Sequence, residues 1–170
     1  MSDRSQGETA LVQFSERLTN SAAFGTLFRE GMDLVEETAA YLDGDGRTEA
    51  KALERSVSLT YATESMRLTT RLMQLASWLL LHRAVKEGEM TLSQANREKT
   101  KVKLSAAEPG PDEMITRLPE QLRDLIARSM SLQSRVRRLD VTIHSTSADR
   151  APIGNPLVPQ LNRLKAAFEH

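Results

Sequence analysis

The stretch YLDGDGRTE, residues 41–49, sets two aspartates and two glycines together, and these are the residue types of a calcium loop. Such a loop needs hard oxygen donors around a sharp turn made by glycine at its sixth position. Placing Gly46 there puts Asp43 and Asp45 at positions three and five, but Tyr41 at position one and Ala52 at position twelve, where carboxylates are required. The ligand set fails. The stretch reads instead as a tight turn between helices, with its glycines in left-handed conformations.

Other chemistry is equally hard to assemble. His82, His144 and His170 lie in separate segments, two of them near the C-terminus, so they do not form a metal cluster, and His82 is expected at the end of a buried stretch. Phosphate-binding loops, nucleophile elbows, dinucleotide fingerprints and zinc-protease motifs are missing. Carboxylates fall beside basic partners, as Glu120 beside Arg123, or away from the core, as Glu36 and Glu37, and are expected on solvated faces. The expectation is a protein without catalytic residues, cofactor or metal.

Two basic clusters could touch phosphates: REKTKVK (Arg97, Lys99, Lys101, Lys103) and SRVRRLD (Arg135, Arg137, Arg138). No aromatic residues interleave with them. The 23 basic and 23 acidic residues balance, so no global field draws in a polyanion, and nucleic acid is not an expected partner. Cysteine is absent, which removes disulfides and thiol chemistry and fits a cytoplasmic setting. The N-terminal residues lack the apolar core of a secretory signal. The longest greasy run, LMQLASWLLL, is well short of the roughly 20 residues of a membrane span, so no membrane is expected.

The elements that carry these residues should all be helices. Aromatic residues make up 4% of the chain, and apolar residues recur three and four apart rather than two. A first helix is expected from about Asn20 to Leu42, capped by Asn20 or Ser21, with Phe24, Phe28, Val35, Ala39 and Leu42 on one stripe. A second is expected from about Thr48 to Glu87, roughly 60 Å long at the helical rise. From Leu72 to Leu81 it is apolar almost all round. That suits either the centre of a bundle or a face left for a second subunit, for which Met73, Ala76 and Leu80 are the candidates.

Thr91 and Gln94 form a capping box that opens a short helix. The third long helix is in place by about Pro119 and runs to about Ile143. Its seam and lead-in carry Ile115, Leu118, Leu122, Leu125, Leu132, Val136, Leu139 and Ile143, with Ser129 the single break. The organisation expected is an N-terminal arm (1–19), an antiparallel three-helix bundle (20–143) and a flexible C-terminal tail (144–170). In that tail Leu157, Leu161, Leu164 and Phe168 keep the spacing of one helix face, with Val158 beside them and Pro159 suited to a first turn. So short a helix needs a surface to fold upon. The surface is its own bundle, a twin chain, or another protein.

Beyond these patterns, MSDRSQGETALVQFSERLTNSAAFGTLF, SMRLTTRLMQLASWLLLHRAVKEGEMTLSQANREK and LPEQLRDLIARSMSLQSRVRRLDVTI resemble the alphaproteobacterial family of regulators of CtrA degradation, long labelled as of unknown function. The likeness covers essentially the full length. It implies a homodimer of three-helix bundles, without activity of its own, that acts as an adaptor for the ClpXP protease. The implied partners are the ClpX unfoldase primed by an unphosphorylated response regulator of the CpdR type, cargo transcription regulators, and a further cyclic di-GMP-responsive adaptor that brings in CtrA. It also implies location at the cell pole. The alternative is a dimeric helical scaffold whose tail packs on its own bundle, with no delivery role. The family offers no signature set of functional residues, so the candidate sites rest on the residue pattern alone.

Overall fold

The computed structural model describes the backbone of residues 3–99, 110–149 and 163–167, and the side chains of 21–98, 110–143 and 163–167. Among them every regular element is a helix. The order is α1 (Asp3–Asp43), α2 (Asp45–Lys51), α3 (Arg55–Lys86), α4 (Leu92–Lys99), α5 (Asp112–Ile115) and α6 (Glu120–Asp149). The long helices α1, α3 and α6 hold 41, 32 and 30 residues.

The first helix begins at Asp3, ahead of the cap expected at Asn20 or Ser21. Leu11, Phe14 and Leu18 already continue the three-and-four spacing upstream, and no proline interrupts it, so two residues that favour caps are carried inside a longer helix. The second pattern divides. Leu53, Val57 and Tyr61 keep their spacing across the boundary, which is why the sequence reads as one helix, yet the backbone leaves α2 at Ala52 and reaches an extended Glu54 (φ −59°, ψ 154°) before α3 starts.

The cause of the division lies in the YLDGDGRTE turn. Tyr41 at the end of α1 donates its hydroxyl hydrogen bond to Glu49 of α2 at 2.6 Å, which ties α2 to α1 before α3 can start. Burial, then the bond to Glu49, raises the Tyr41 pKa far above the ordinary phenol value, so the donor stays protonated. The glycines do not take the left-handed conformations expected of them: Gly44 sits at φ −113°, and among the described residues positive φ occurs only at Gly88, just past α3. Gly46 is needed for space instead. A Cβ there would lie 2.6 Å from the Tyr41 carbonyl oxygen and 2.6 Å from the Tyr61 hydroxyl. Because the first neighbour is backbone and cannot swing away, Gly46→Ala is expected to destabilise the fold by about 2 kcal/mol. An unchanged urea midpoint would refute that reading of the corner.

The chain divides into two compact units, Met1–Ser134 and Arg135–His170. In the first, α1 packs along α3. Leu34, Leu68, Leu75, Trp78, Leu79, Leu122, Leu125 and Leu132 are the most deeply buried apolar side chains there. The start of α6 is tied to both long helices. Arg128 makes a bidentate pair with Glu37 of α1 at 2.7 and 2.9 Å, and Arg71 of α3 donates to the Ser129 hydroxyl at 2.9 Å. Glu37 is therefore held below the usual carboxylate range by the Arg128 hydrogen bonds. The capping box forms as expected, with Gln94 N–H donating to Thr91 Oγ1 and Thr91 N–H to Gln94 Oε1. In the second unit α6 continues to Asp149, past the end expected near Ile143; Val136 is buried, Leu139 and Ile143 are half-buried, and Val141 is exposed.

Candidate interaction surface

The side of α3 turned to solvent is unusual for its chemistry. Four large apolar side chains, Leu59, Met66, Met73 and Leu80, are 72, 72, 66 and 52% exposed. They are spaced seven residues apart, about two helical turns, so they fall close to one line along the helix. Between them lie exposed Ala62, Thr63, Thr69 and Thr70 and half-buried Ala76 and Ser77. None of these residues is charged. Isolated exposed apolar residues are ordinary, but an aligned row without charge is a candidate interaction surface.

Of the three residues singled out from sequence, Met73 and Leu80 are exposed and Ala76 is half-buried, so the helix is apolar all round without being enclosed all round. Leu59 and Met66 extend the row and were missed. Their signal was the period of seven, hidden because the buried row of Leu68, Leu72, Leu75 and Leu79 is denser and draws the eye.

Beside the row, α1 and α3 leave an apolar cavity of about 310 Å³. Val35, Thr38, Ala39 and Leu42 of α1 form one wall, and Thr69, Leu72, Met73 and Ala76 of α3 the other, with Asp43 at one end. Thr38 is buried and its hydroxyl has no hydrogen-bond partner among the described residues. The walls offer apolar contact and no charged or nucleophilic pair, so the cavity can hold an apolar side chain and has no equipment for a reaction.

Behind the row the core carries two charged side chains. Glu64 and Arg71 are 2 and 1% exposed. Glu64 accepts hydrogen bonds from Arg67 at 2.8 Å and from the Gly110 N–H at 3.1 Å. Burial lowers the Arg71 pKa, and the nearby Glu64 charge works against that shift. This differs from the expectation that carboxylates occupy solvated faces. The remaining end of α3 is aromatic: Trp78 stacks against His82 with ring centres 4.0 Å apart and faces Phe24 at 6.3 Å, and His82 is buried as expected.

In the C-terminal segment residues 163–167 are helical, and Leu164 is 55% exposed. Leu157, Val158, Leu161 and Phe168 lie outside the described residues. Asp43 and Asp45 of the rejected calcium loop are exposed, with Asp43 3.9 Å from Arg47. No group of three or more metal-ligating side chains occurs among the described residues, and no described helix is long and apolar enough to cross a membrane.

Comparison with known proteins places the chain in a family. Residues 15–168 match the family described as "Protein of unknown function (DUF1465)". Among solved structures, the crystal structure of RcdA from Caulobacter crescentus CB15 is 54% identical, covering 69% of this chain and 87% of that one, with a TM-score of 0.57. Curated proteins yield no match. The chain belongs to the DUF1465 family and is a relative of RcdA.

Proposed function

We propose that this chain is a non-enzymatic adaptor in the degradation of CtrA and other cell-cycle transcription regulators. It joins ClpXP primed by a response regulator of the CpdR type and holds cargo, or a cyclic di-GMP-responsive adaptor carrying cargo, near the unfoldase. The observation that carries this reading is the 54% identity to RcdA. An adaptor acts by raising the effective concentration of a substrate at a protease, which requires separate binding surfaces and no chemistry. The charge-free row on α3 and the apolar C-terminal segment are surfaces of that kind. In this reading the working form is a pair of antiparallel three-helix bundles joined through the face that carries Met73, Ala76 and Leu80. The C-terminal residues Leu157, Val158, Leu161, Leu164 and Phe168 engage partners, in the cytoplasm at the cell pole.

The test is degradation of a purified cargo regulator by ClpXP, ATP and unphosphorylated response regulator. It is run with the full chain, with a chain ending at Asp149, the last residue of α6, or with neither. Cargo loss that depends on the full chain is expected, with at least a severalfold slower loss for the shortened one. Equal loss in all three reactions would overturn the adaptor role. Equal acceleration by both forms would remove the tail from it.

A further inference from the structure

We propose that the cavity between α1 and α3 is a binding site for a small aliphatic molecule carrying one uncharged hydroxyl or carbonyl group, and that the Thr38 hydroxyl holds that group at the cavity floor. The inference goes beyond the adaptor reading, which gives the chain only protein partners.

The lining separates a floor from a mouth. Thr38 and Leu72 are 3 and 4% exposed, which puts them at the bottom. Ala39 and Asp43 of α1 and Thr69 and Met73 of α3 are exposed and surround the opening. Val35, Leu42 and Ala76, half-buried, form the sides. A volume of about 310 Å³ gives room for about ten heavy atoms at roughly 30 Å³ each. That is the lower end of the range of small-molecule pockets.

The floor carries the argument. A threonine inside a helix commonly satisfies its hydroxyl on the carbonyl four residues back. Thr26, Thr60, Thr63 and Thr69 all do so, at 3.1, 3.3, 3.0 and 2.8 Å, although each of them can also reach water. Thr38 is buried and makes no such bond, and its hydroxyl has no partner among the described residues. A buried hydroxyl left in that state costs free energy. A pure hydrocarbon in the cavity would leave the cost in place, whereas a molecule that brings a hydrogen-bonding atom to the floor removes it. Water is a poor substitute, because an ordered water needs two to four polar partners, and Val35, Leu42, Leu72 and Ala76 offer no side-chain partner beside Thr38.

The mouth restricts the charge of the ligand. Asp43 is the only charged residue of the lining, and no cation accompanies it there. A carboxylate ligand would lie beside Asp43 or bury its charge against a hydroxyl alone, and both are unfavourable. A neutral polar group meets neither obstacle. The apolar sides then take the aliphatic part, which the surrounding Val35, Leu42 and Met73 contact without any polar demand.

The probe is 1-octanol, a chain of the size that fits with one neutral hydroxyl, followed by methyl nuclear magnetic resonance of the full-length chain. Titration should shift the methyl signals of Val35, Thr38 and Leu72 and saturate with a Kd below about 1 mM. Octanoate should bind at least about tenfold more weakly. Thr38→Val removes the hydroxyl and keeps the shape. It should weaken 1-octanol about tenfold, leave the binding of xenon, which makes no hydrogen bond, as it was, and not lower the urea midpoint, because no hydrogen bond within the chain is lost. Ala39→Phe, at an exposed position on the mouth, should exclude both probes and leave the far-ultraviolet circular dichroism unchanged. Shifts that do not saturate, that miss the lining methyls or that survive Ala39→Phe would overturn the site. Equal affinity of 1-octanol for the native chain and Thr38→Val, or octanoate binding as tightly as 1-octanol, would overturn the assignment of an uncharged polar group to Thr38. Neither protease nor cargo enters these measurements, so their failure and a failure of the adaptor role are read separately.

Discussion

Glu64→Gln is expected to destabilise the fold by about 3 kcal/mol, a large loss for a substitution that changes one atom. Glu64 and Arg71 are both buried on α3, and the Glu64 charge opposes the effect of burial on Arg71. Glutamine keeps the size of the side chain and can still accept from the Gly110 N–H, so what is removed is the charge that pairs with Arg67 at 2.8 Å and that offsets the buried Arg71 guanidinium from farther along the helix. Arginine does not escape by losing its proton, and it stays charged with one opposing charge fewer. If that account is right, Glu64→Gln with Arg71→Met should recover part of the loss, because the buried charge left without its counter-charge is then removed, while Arg67, 35% exposed, can turn to solvent. Urea denaturation of the two single variants and the double one measures this as a cycle. A loss below about 1 kcal/mol for Glu64→Gln, or no recovery in the double variant, would show that Glu64 is not the charge that Arg71 depends on.

The same pair shows where sequence reading stops. Hydrophobic spacing identified the buried side of α3 and α6, because Leu68, Leu72, Leu75, Leu79, Leu122, Leu125 and Leu132 each sit where the three-and-four pattern puts them. On α1 the expected stripe is only partly right: Phe24 is buried, but Phe28, Val35 and Leu42 are half-buried and Ala39 is exposed, and the buried line runs through Leu27, Leu34, Thr38 and Tyr41. Ser129 was visible as the one break in the α6 seam. Its explanation was not visible, since the Arg71 guanidinium that reaches it is 58 positions away in the chain and nothing in the spacing ties the two. Glu64 and Arg71 look like surface charges in a one-dimensional pattern. Only the packing of α3 against the start of α6 puts them inside.

The corner after α1 was misread for a related reason. Glycine at a turn suggests backbone freedom, but Gly46 serves the close approach of two tyrosines, and that contact is made by the fold rather than by neighbours in sequence. The interaction row was half legible. Met73, Ala76 and Leu80 stood out because they sit in the greasiest part of α3, whereas Leu59 and Met66 are isolated among polar residues and become a surface only when exposure is known. Burial and period together separate the two rows of α3. Period alone merges them.

That separation predicts opposite outcomes for two neighbouring residues on α3. Trp78 is 1% exposed, flanked by Phe24 and His82, and Trp78→Ala is expected to cost about 3–5 kcal/mol through lost burial and the cavity left behind. Leu80, two positions on, is 52% exposed, and Leu80→Ala should change the stability of the single chain by less than about 0.5 kcal/mol. The comparison belongs at low protein concentration, where self-association adds least to stability by mass action. Trp78 is the only tryptophan, so circular dichroism rather than fluorescence must follow unfolding. If Leu80→Ala proves as costly as Trp78→Ala, Leu80 is a core residue and the row is no surface. If it costs nothing, packing within the single chain does not account for the apolar character of Leu80.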